Sequence, residues 1–421
     1  MKKQPFIVAN SVNKDTRKAM DEVLESLDEN VKFALLYVDE HFDADRIVSE
    51  MNRRFPHLPW LGCTTSGEIT SNGLQEEGIA LMACTDANLQ VKVAYAANVK
   101  THPEDAAKLL AKQLKDPRFD DLPHHAVIVH TPGFTVQESG WEHKLFPQLQ
   151  KLLGADVHLV GGSAGDNLKF LGSRVLSSKG AQEDGAVAIR IGGERKIAAT
   201  VCHGYKPTTK TATVTRSKKN EVIELDGKPA SRRFAELVGV PEKDMLTGVS
   251  LVKMGGFLPK KLTALGQKFG MTPKRMIKEL PFYKYSVQFP FGRKIDGTEQ
   301  YSTYFAKLIQ DSGTIEFYGE MPEGTKLTLM ERDDALFLSA ESKALKTNQE
   351  KLGGKSVANL IVECAGRKIL LEDKIEEVFQ QATKVSNAPT IGFYAHGEQG
   401  SVDAGPVTCN NYSVMVLSFG K

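Results

Sequence analysis

A glycine–carboxylate element that recurs along the chain most constrains its fold. It reads Gly62-Cys-Thr-Thr-Ser-Gly67-Glu68, then Gly161-Gly-Ser-Ala-Gly165-Asp166, then Gly392-Phe-Tyr-Ala-His-Gly397-Glu398. The first and last copies share the spacing G-x4-G-E, and every copy follows a short apolar or β-prone run. Glycine lets the backbone turn sharply and lets another group approach closely. A carboxylate just past the turn places an acceptor at a defined position. Turns of one kind at several strand ends predict a common pocket.

The chain has 421 residues, 41% of them hydrophobic and 25% charged, which leaves room for sizeable cores. A net charge of +2 argues neither for a nucleic-acid-coating protein nor for an acidic one. The N-terminus, Met1 to Asn10, lacks the apolar run of a secretory signal. No apolar stretch approaches the ~20 residues of a membrane span, so no membrane insertion is expected. Cys63, Cys84, Cys202, Cys364 and Cys409 are scattered and form no C-x-x-C pair. That usage fits a reducing compartment and argues against a disulfide frame or zinc site. The expectation is a soluble cytoplasmic protein.

Helical spacing marks residues 15–30, 43–55 (capped by Asp43), 104–114, 334–351 and 372–384. Strands are expected at 33–38, 78–83, 91–96, 126–130 and 157–160. Residues 186–191 and 197–202 read as a strand pair joined by Gly192-Gly193. Further strands are expected at 286–289, 315–318, 326–330, 357–363 and 414–419. This mixture predicts an α/β sandwich with substantially antiparallel sheets flanked by helices, not a doubly wound sheet. Composition shifts at 205–220, where lysines and arginines meet threonines, and order restarts at Val222. A boundary near 220 gives two domains, 1–220 and 221–421.

Gly161-x-Ser163-x-Gly165 matches the nucleophile elbow of serine hydrolases, but Asp166 to Gly172 is a poor helix start for that role. A tight ligand-facing or structural turn is the simpler reading. Cys63 has no histidine partner visible in sequence and reads as a small buried side chain. Gly353-Gly-Lys-Ser356 resembles the end of a phosphate-binding loop, but Gln349 stands where that pattern requires glycine. Residues 262–280 resemble a helix–turn–helix within a basic stretch, 253–294. Such a surface suits nucleic acid or, more simply, an acidic protein partner. His130, His158, His203 and His396 lie in strand-like or turn segments, where histidine is more often structural than metal-bound.

Together with their flanks, the glycine turns resemble the FIST family of sensory proteins. Gly62-Cys-Thr-Thr-Ser-Gly-Glu-Ile69 is similar to the signature of the FIST N-terminal domain. So is the run from Val160 to Asp166, through His203-Gly204, to Glu224-Leu-Asp-Gly-Lys-Pro-Ala230. The C-terminal domain is matched by Phe317-Tyr-Gly-Glu-Met-Pro-Glu-Gly324, by Cys364-Ala-Gly-Arg367, and by Gly392 to Glu398 with Asn411 beyond. The likeness covers roughly residues 30–420 in order.

The resemblance implies a non-enzymatic sensory module for a small ligand, an amino acid or related metabolite. It also implies action through a separate partner such as a histidine kinase, since no kinase, GGDEF or methyl-accepting segment is evident here. A two-domain FIST chain resembles, too, the nitric-oxide sensors that bind haem b. On that alternative His203 and His396 are the candidate iron ligands. The family often places a tyrosine-like residue near position 396, so His396 is a departure. The expected ligand-binding residues are Gly62, Cys63, Thr64, Ser66, Gly67, Glu68, Gly162, Ser163, Asp166, Arg367, Tyr394, His396 and Glu398. Backbone amides would hold a carboxylate, and the acids an ammonium. No nucleic-acid partner is expected.

Overall fold

The computed structural model describes residues 4–28, 30–135, 138–245, 275, 280–401 and 405–421. Within them one order of elements occurs three times: strand, helix, strand, helix, strand, glycine turn, hairpin, strand. The first unit holds β1 (Phe6–Ser11), β2 (Phe33–Asp39), β3 (Trp60–Thr65), the hairpin β4 (Glu68–Thr70) and β5 (Gly73–Gln75), and β6 (Ile79–Cys84). Its helices are Thr16–Leu24 and Ala44–Arg54. Asp43 caps the latter by accepting from the Arg46 amide at 3.0 Å. The second unit holds β7 (Gln90–Ala97), β8 (His124–Thr131), β9 (His158–Ser163), the hairpin β10 (Val175–Ser177) and β11 (Gly180–Gln182), and β12 (Gly185–Gly193). Its helices are Pro103–Leu114 and Glu142–Leu153.

The third unit opens with β13 (Ile197–His203) and is interrupted by an insertion. The insertion comprises β14 (Tyr205–Lys218), β15 (Glu221–Leu225), β16 (Lys228–Pro229), β17 (Phe291–Lys294), β18 (Tyr301–Tyr304), β19 (Ala306–Ile309), β20 (Ile315–Phe317) and β21 (Lys326–Arg332). The unit then resumes with the helix Asp334–Leu352, β22 (Ala358–Cys364), helices Ala365–Leu371 and Ile375–Val385, and β23 (Thr390–Ala395). The hairpin β24 (Glu398–Ser401) and β25 (Val407–Asn410) leads to the last strand, β26 (Ser413–Phe419).

Each unit builds one sheet in the same way: first strand, last strand, second, third, then a hairpin borrowed from another unit. Hairpin β10–β11 completes the first sheet on β3, β24–β25 completes the second on β9, and β4–β5 completes the third on β23. The exchange is therefore cyclic. Within each sheet the second and third strands run parallel, and the other pairings are antiparallel.

The three sheets share one core. Phe33, Leu35 and Tyr37 meet Ile128, Val160 and Ile189 from the second sheet and Leu360, Val362 and Phe393 from the third. The opposite faces carry helices: Ala34, Leu36 and Val38, for example, pack against Ile47 and Met51. Covering both faces explains the unbroken apolar runs of the central strands. The first glycine of each element lies within this packing, not in the turn. A Cβ on Gly62 would sit 1.8 Å from the Leu36 carbonyl oxygen, and one on Gly161 or Gly392 2.1 Å from that of Val129 or Ile361. The insertion forms a separate sheet with its own core around Val214, Phe234, Phe291 and Phe317.

The mixed, largely antiparallel α/β architecture matches the expectation. Two local readings are corrected. Residues 286–289 do not form a strand: Pro281–Gln288 is a helix, with proline in its first turn and Phe282, Ser286 and Val287 buried on one face. Strands β12 and β13 are not paired, because β7 and β8 occupy both edges of β12 while β13 pairs with β26. The boundary placed near residue 220 falls at the turn between β14 and β15, which are neighbours in the inserted sheet. The helix–turn–helix read at 262–280 and most of the basic stretch 253–294 lie outside the described residues. No described helix is long and apolar enough to cross a membrane.

Candidate functional site

The turns after β3, β9 and β23 meet at one end of the shared core and are tied in a ring by backbone hydrogen bonds. The Ser66 amide donates to Tyr394 O at 3.0 Å, and the Tyr394 amide to Gly67 O at 2.9 Å. Gly165 N donates to Thr64 O at 2.8 Å. His396 N donates to Ser163 O at 3.0 Å, and Ser163 N to Gly397 O at 2.9 Å. Gly165 is required by this closeness, for a Cβ there would lie 2.6 Å from Ser66 Oγ.

At the centre Ser66 Oγ lies 3.2 Å from His396 Nε2, and Asp166 Oδ1 lies 3.5 Å from that same nitrogen. A relay triad needs the serine on one ring nitrogen and the acid on the other. This set therefore lacks the order for nucleophilic catalysis. Asp166 also braces its own loop, accepting from the amides of Phe170, Leu171 and Gly172 at 2.7–3.0 Å. Burial pushes the His396 pKa down, with Asp166 opposing, so the ring is biased toward neutrality. His396 Nδ1 is buried without a hydrogen bond, although the Phe134 carbonyl bears on the ring.

The other expected residues fall into distinct surroundings. Glu68 is fully buried, accepting from Thr65 Oγ1 at 2.5 Å and the Gly78 amide at 3.1 Å. Glu398 accepts from Ser413 N at 3.2 Å and Ser413 Oγ at 2.9 Å. Burial raises both carboxyls to about 8, so each is protonated at neutral pH and anchors the root of its hairpin. Gly67 N donates to Thr65 Oγ1, and Thr64 Oγ1 to Gly165 O. Cys63 faces the shared core, where burial raises its thiol pKa. The carbonyl of Gly162 receives His130 Nδ1 at 3.1 Å, while Tyr37 Oη holds His130 Nε2 at 3.0 Å. Arg367 lies under the third sheet, with Nε donating to Glu363 Oε1 at 2.8 Å; Glu341 and Tyr394 are buried beside it.

Ser163 opens a second polar group. Its hydroxyl donates to Glu142 Oε1 at 2.9 Å and accepts from Gln399 Nε2 at 3.1 Å. Burial raises the Glu142 carboxyl to about 7. Gln399 is 2% exposed, and its Oε1 has no hydrogen bond. Glu142 and Gln399, with Phe134, His143, Tyr318 and His396, line a cavity of about 20 Å³ between the three-unit body and the insertion. Phe134 and Phe170 flank the His396 ring at 5.3 and 4.6 Å, and Tyr318 lies 4.2 Å from Phe134. Glu142, Gln399 and Phe134 were not singled out in the sequence. Gln399 directly follows the glycine–carboxylate element, but Glu142 carries no local signal.

Haem does not fit this arrangement. The cavity has room for roughly one or two waters, whereas cofactor sites occupy roughly 300–1,000 Å³. Both ring nitrogens of His203 are engaged, Nε2 with Tyr301 O and Nδ1 with the Tyr205 amide. Among the described residues no cluster of three or more His, Cys, Asp or Glu is placed to hold a metal.

A body locked by exchanged hairpins, with buried polar groups at its seam with an inserted sheet, has the form of a ligand-binding protein. The sequence matches the FIST N domain over residues 32–228 and the FIST C domain over 274–401, and the chain belongs to the FIST family, whose domains are small-ligand sensory domains of signalling proteins. It is 24% identical over 387 residues to an uncharacterised protein of Methanocaldococcus jannaschii, spanning 90% of this chain and 68% of that one. A solved cyanuric acid hydrolase from A. caulinodans aligns at 11% identity, over 79% of this chain and 99% of that one. Its TM-score of 0.20 carries no information about fold or activity.

Proposed function

We propose that this protein is a non-catalytic cytoplasmic sensor that encloses a small polar metabolite, such as an amino acid or a relative of one, and signals through a separate protein such as a histidine kinase. The observation that supports this reading is the seam cavity, where a buried, unpartnered Gln399 Oε1 stands among aromatic walls. A buried polar atom without a partner costs about 1–3 kcal/mol, and a ligand that satisfies it recovers that cost on binding. The ring of turns reaches the cavity through His396 and Gly397, and Ser66, Gly67, Gly162, Ser163, Asp166 and Tyr394 form the rigid support behind them. The insertion, through Tyr318, is the cover.

The present cavity is too small for a whole metabolite, so entry requires the insertion to move from the body. A ligand that holds the two together shifts their equilibrium by its differential affinity for the closed form. That motion is the signal offered to the partner. Trp141 is a natural probe, since its indole donates to Pro132 O at 3.0 Å beside the cavity loop. Titration with amino acids, amines and 2-oxo acids is expected to change Trp141 emission and raise the melting temperature for one chemical group. A flat response across all of them, in a protein that melts cooperatively, would refute the sensory reading.

A further inference from the structure

The seam cavity is unbalanced in its hydrogen-bonding groups, and this imbalance defines the chemistry of its occupant. Gln399 donates through its amide nitrogen to Ser163 Oγ, which also contacts Glu142 Oε1 and Thr131 Oγ1. Its Oε1 is therefore the free atom, an acceptor 2% exposed and without a partner. The Glu142 carboxyl is a second acceptor, 6% exposed, on the same wall. The neighbouring imidazoles do not oppose a cation: burial lowers the His143 pKa to about 4 and that of His396 below its ordinary value. Phe134 and Tyr318, 4.2 Å apart, add aromatic rings of the kind that attract an ammonium. A volume of about 20 Å³ admits a head group and little more.

We propose that this cavity holds the primary ammonium group of the ligand, with Gln399 Oε1 and Glu142 as acceptors and Phe134 and Tyr318 as walls. The proposal deepens the sensory reading and rests on it. It moves recognition of the cation away from the turn acids Glu68 and Glu398, which lie outside the cavity lining and accept from Thr65 and Gly78 and from Ser413 respectively. The ligand class is amine-bearing molecules, with or without a carboxylate. An ammonium beside Glu142 also draws that carboxyl into its ionised form, so binding near pH 6.5 releases a proton. The other titratable groups facing Glu142 are His143, His396 and Cys409.

The experiment is calorimetry on the full chain at pH 6.5. One series contains glycine, alanine, ethanolamine and 1,4-diaminobutane; the other contains glycolate, pyruvate and ethylene glycol. Binding is expected only in the ammonium series, with a heat that varies with the ionisation enthalpy of the buffer. Gln399→Leu is expected to weaken it at least tenfold. Glu142→Gln is expected to remove the buffer dependence, and Gln399→Glu to retain binding. Binding of the second series equal to the first overturns the ammonium assignment and leaves the sensory reading standing. Binding of neither series overturns both. Unchanged amine affinity in a folded Gln399→Leu protein overturns the assignment of the acceptors.

Discussion

Ser66 Oγ and His396 Nε2 stand 3.2 Å apart across 330 positions of sequence. They meet because each follows the third strand of its unit, and the three units place those strand ends around a common point. The same relationship limits what the pair can do. With Asp166 on the same nitrogen, the histidine has no route for passing a proton from serine to acid. The contact holds the ring of turns together.

The close approach of parallel strands predicts which glycines are irreplaceable. Gly62→Ala, Gly161→Ala or Gly392→Ala would drive a methyl group into a carbonyl oxygen at 1.8–2.1 Å. Each is expected to cost about 3 kcal/mol or more. Gly354, with open space at its Cβ position, serves as control and is expected to change little as alanine. Urea denaturation midpoints of the four variants test this, and equal values for all four would contradict it.

Burial of Glu398 predicts a specific pH dependence. Below the ordinary value of 4.5 the folded and unfolded chains both hold the proton, and pH has no leverage. Between 4.5 and about 8 only the folded chain keeps it, so stability falls as pH rises; above about 8 both forms are ionised and the fall stops. The slope is about 1.4 kcal/mol per pH unit. Glu398→Gln cannot ionise and is expected to lose less stability than the parent between pH 5 and pH 8. Parallel pH profiles for the two proteins would show that Glu398 is already ionised in the fold.

Arg367 is fully buried, pairing with Glu363 at 2.8 Å and lying over the Phe337 ring at 4.2 Å. Removing the guanidinium leaves the Glu363 carboxyl unpaired in the interior. Arg367→Met is expected to cost about 3–5 kcal/mol, and the double variant Glu363→Gln, Arg367→Met less than that. A double-mutant cycle in urea checks the sign, and additive losses would show that the pair is not coupled.

The hairpin exchange predicts that the first two units are not self-sufficient. A fragment ending at residue 195 retains β10–β11 for β3, but it strips β24–β25 from β9 and leaves β4–β5 without β23. It is expected to show secondary structure without a cooperative melt, detected as a broad thermal transition beside the sharp one of the whole chain. A sharp transition in the fragment would mean that the borrowed hairpins are dispensable.

Much of the body was legible because its signals are local. The strand Phe33–Asp39 is a continuous apolar run because both its faces are covered, and Asp43 marks a helix start through its own capping bond. The recurring turns announced themselves by glycine and acid. The threefold order stayed hidden because the third unit is interrupted after β13 and the linking helices share no pattern. Residues 205–218 looked like a boundary, yet Ala212 and Val214 face the inserted core while Thr211, Thr213 and Thr215 alternate with them on the other face. That alternation is the mark of a strand. The cavity was least legible: Glu142, Gln399, Phe134 and Tyr318 come from four separate segments, and only folding brings them together.

Because each of the three body sheets is finished by a neighbour's hairpin, three identical one-unit polypeptides could satisfy the same pairing by simple rotation, each giving one arm and receiving one. The present molecule holds its three units in one chain. Joining frees each member to differ, so that one position around the axis carries serine, another glycine and the third histidine.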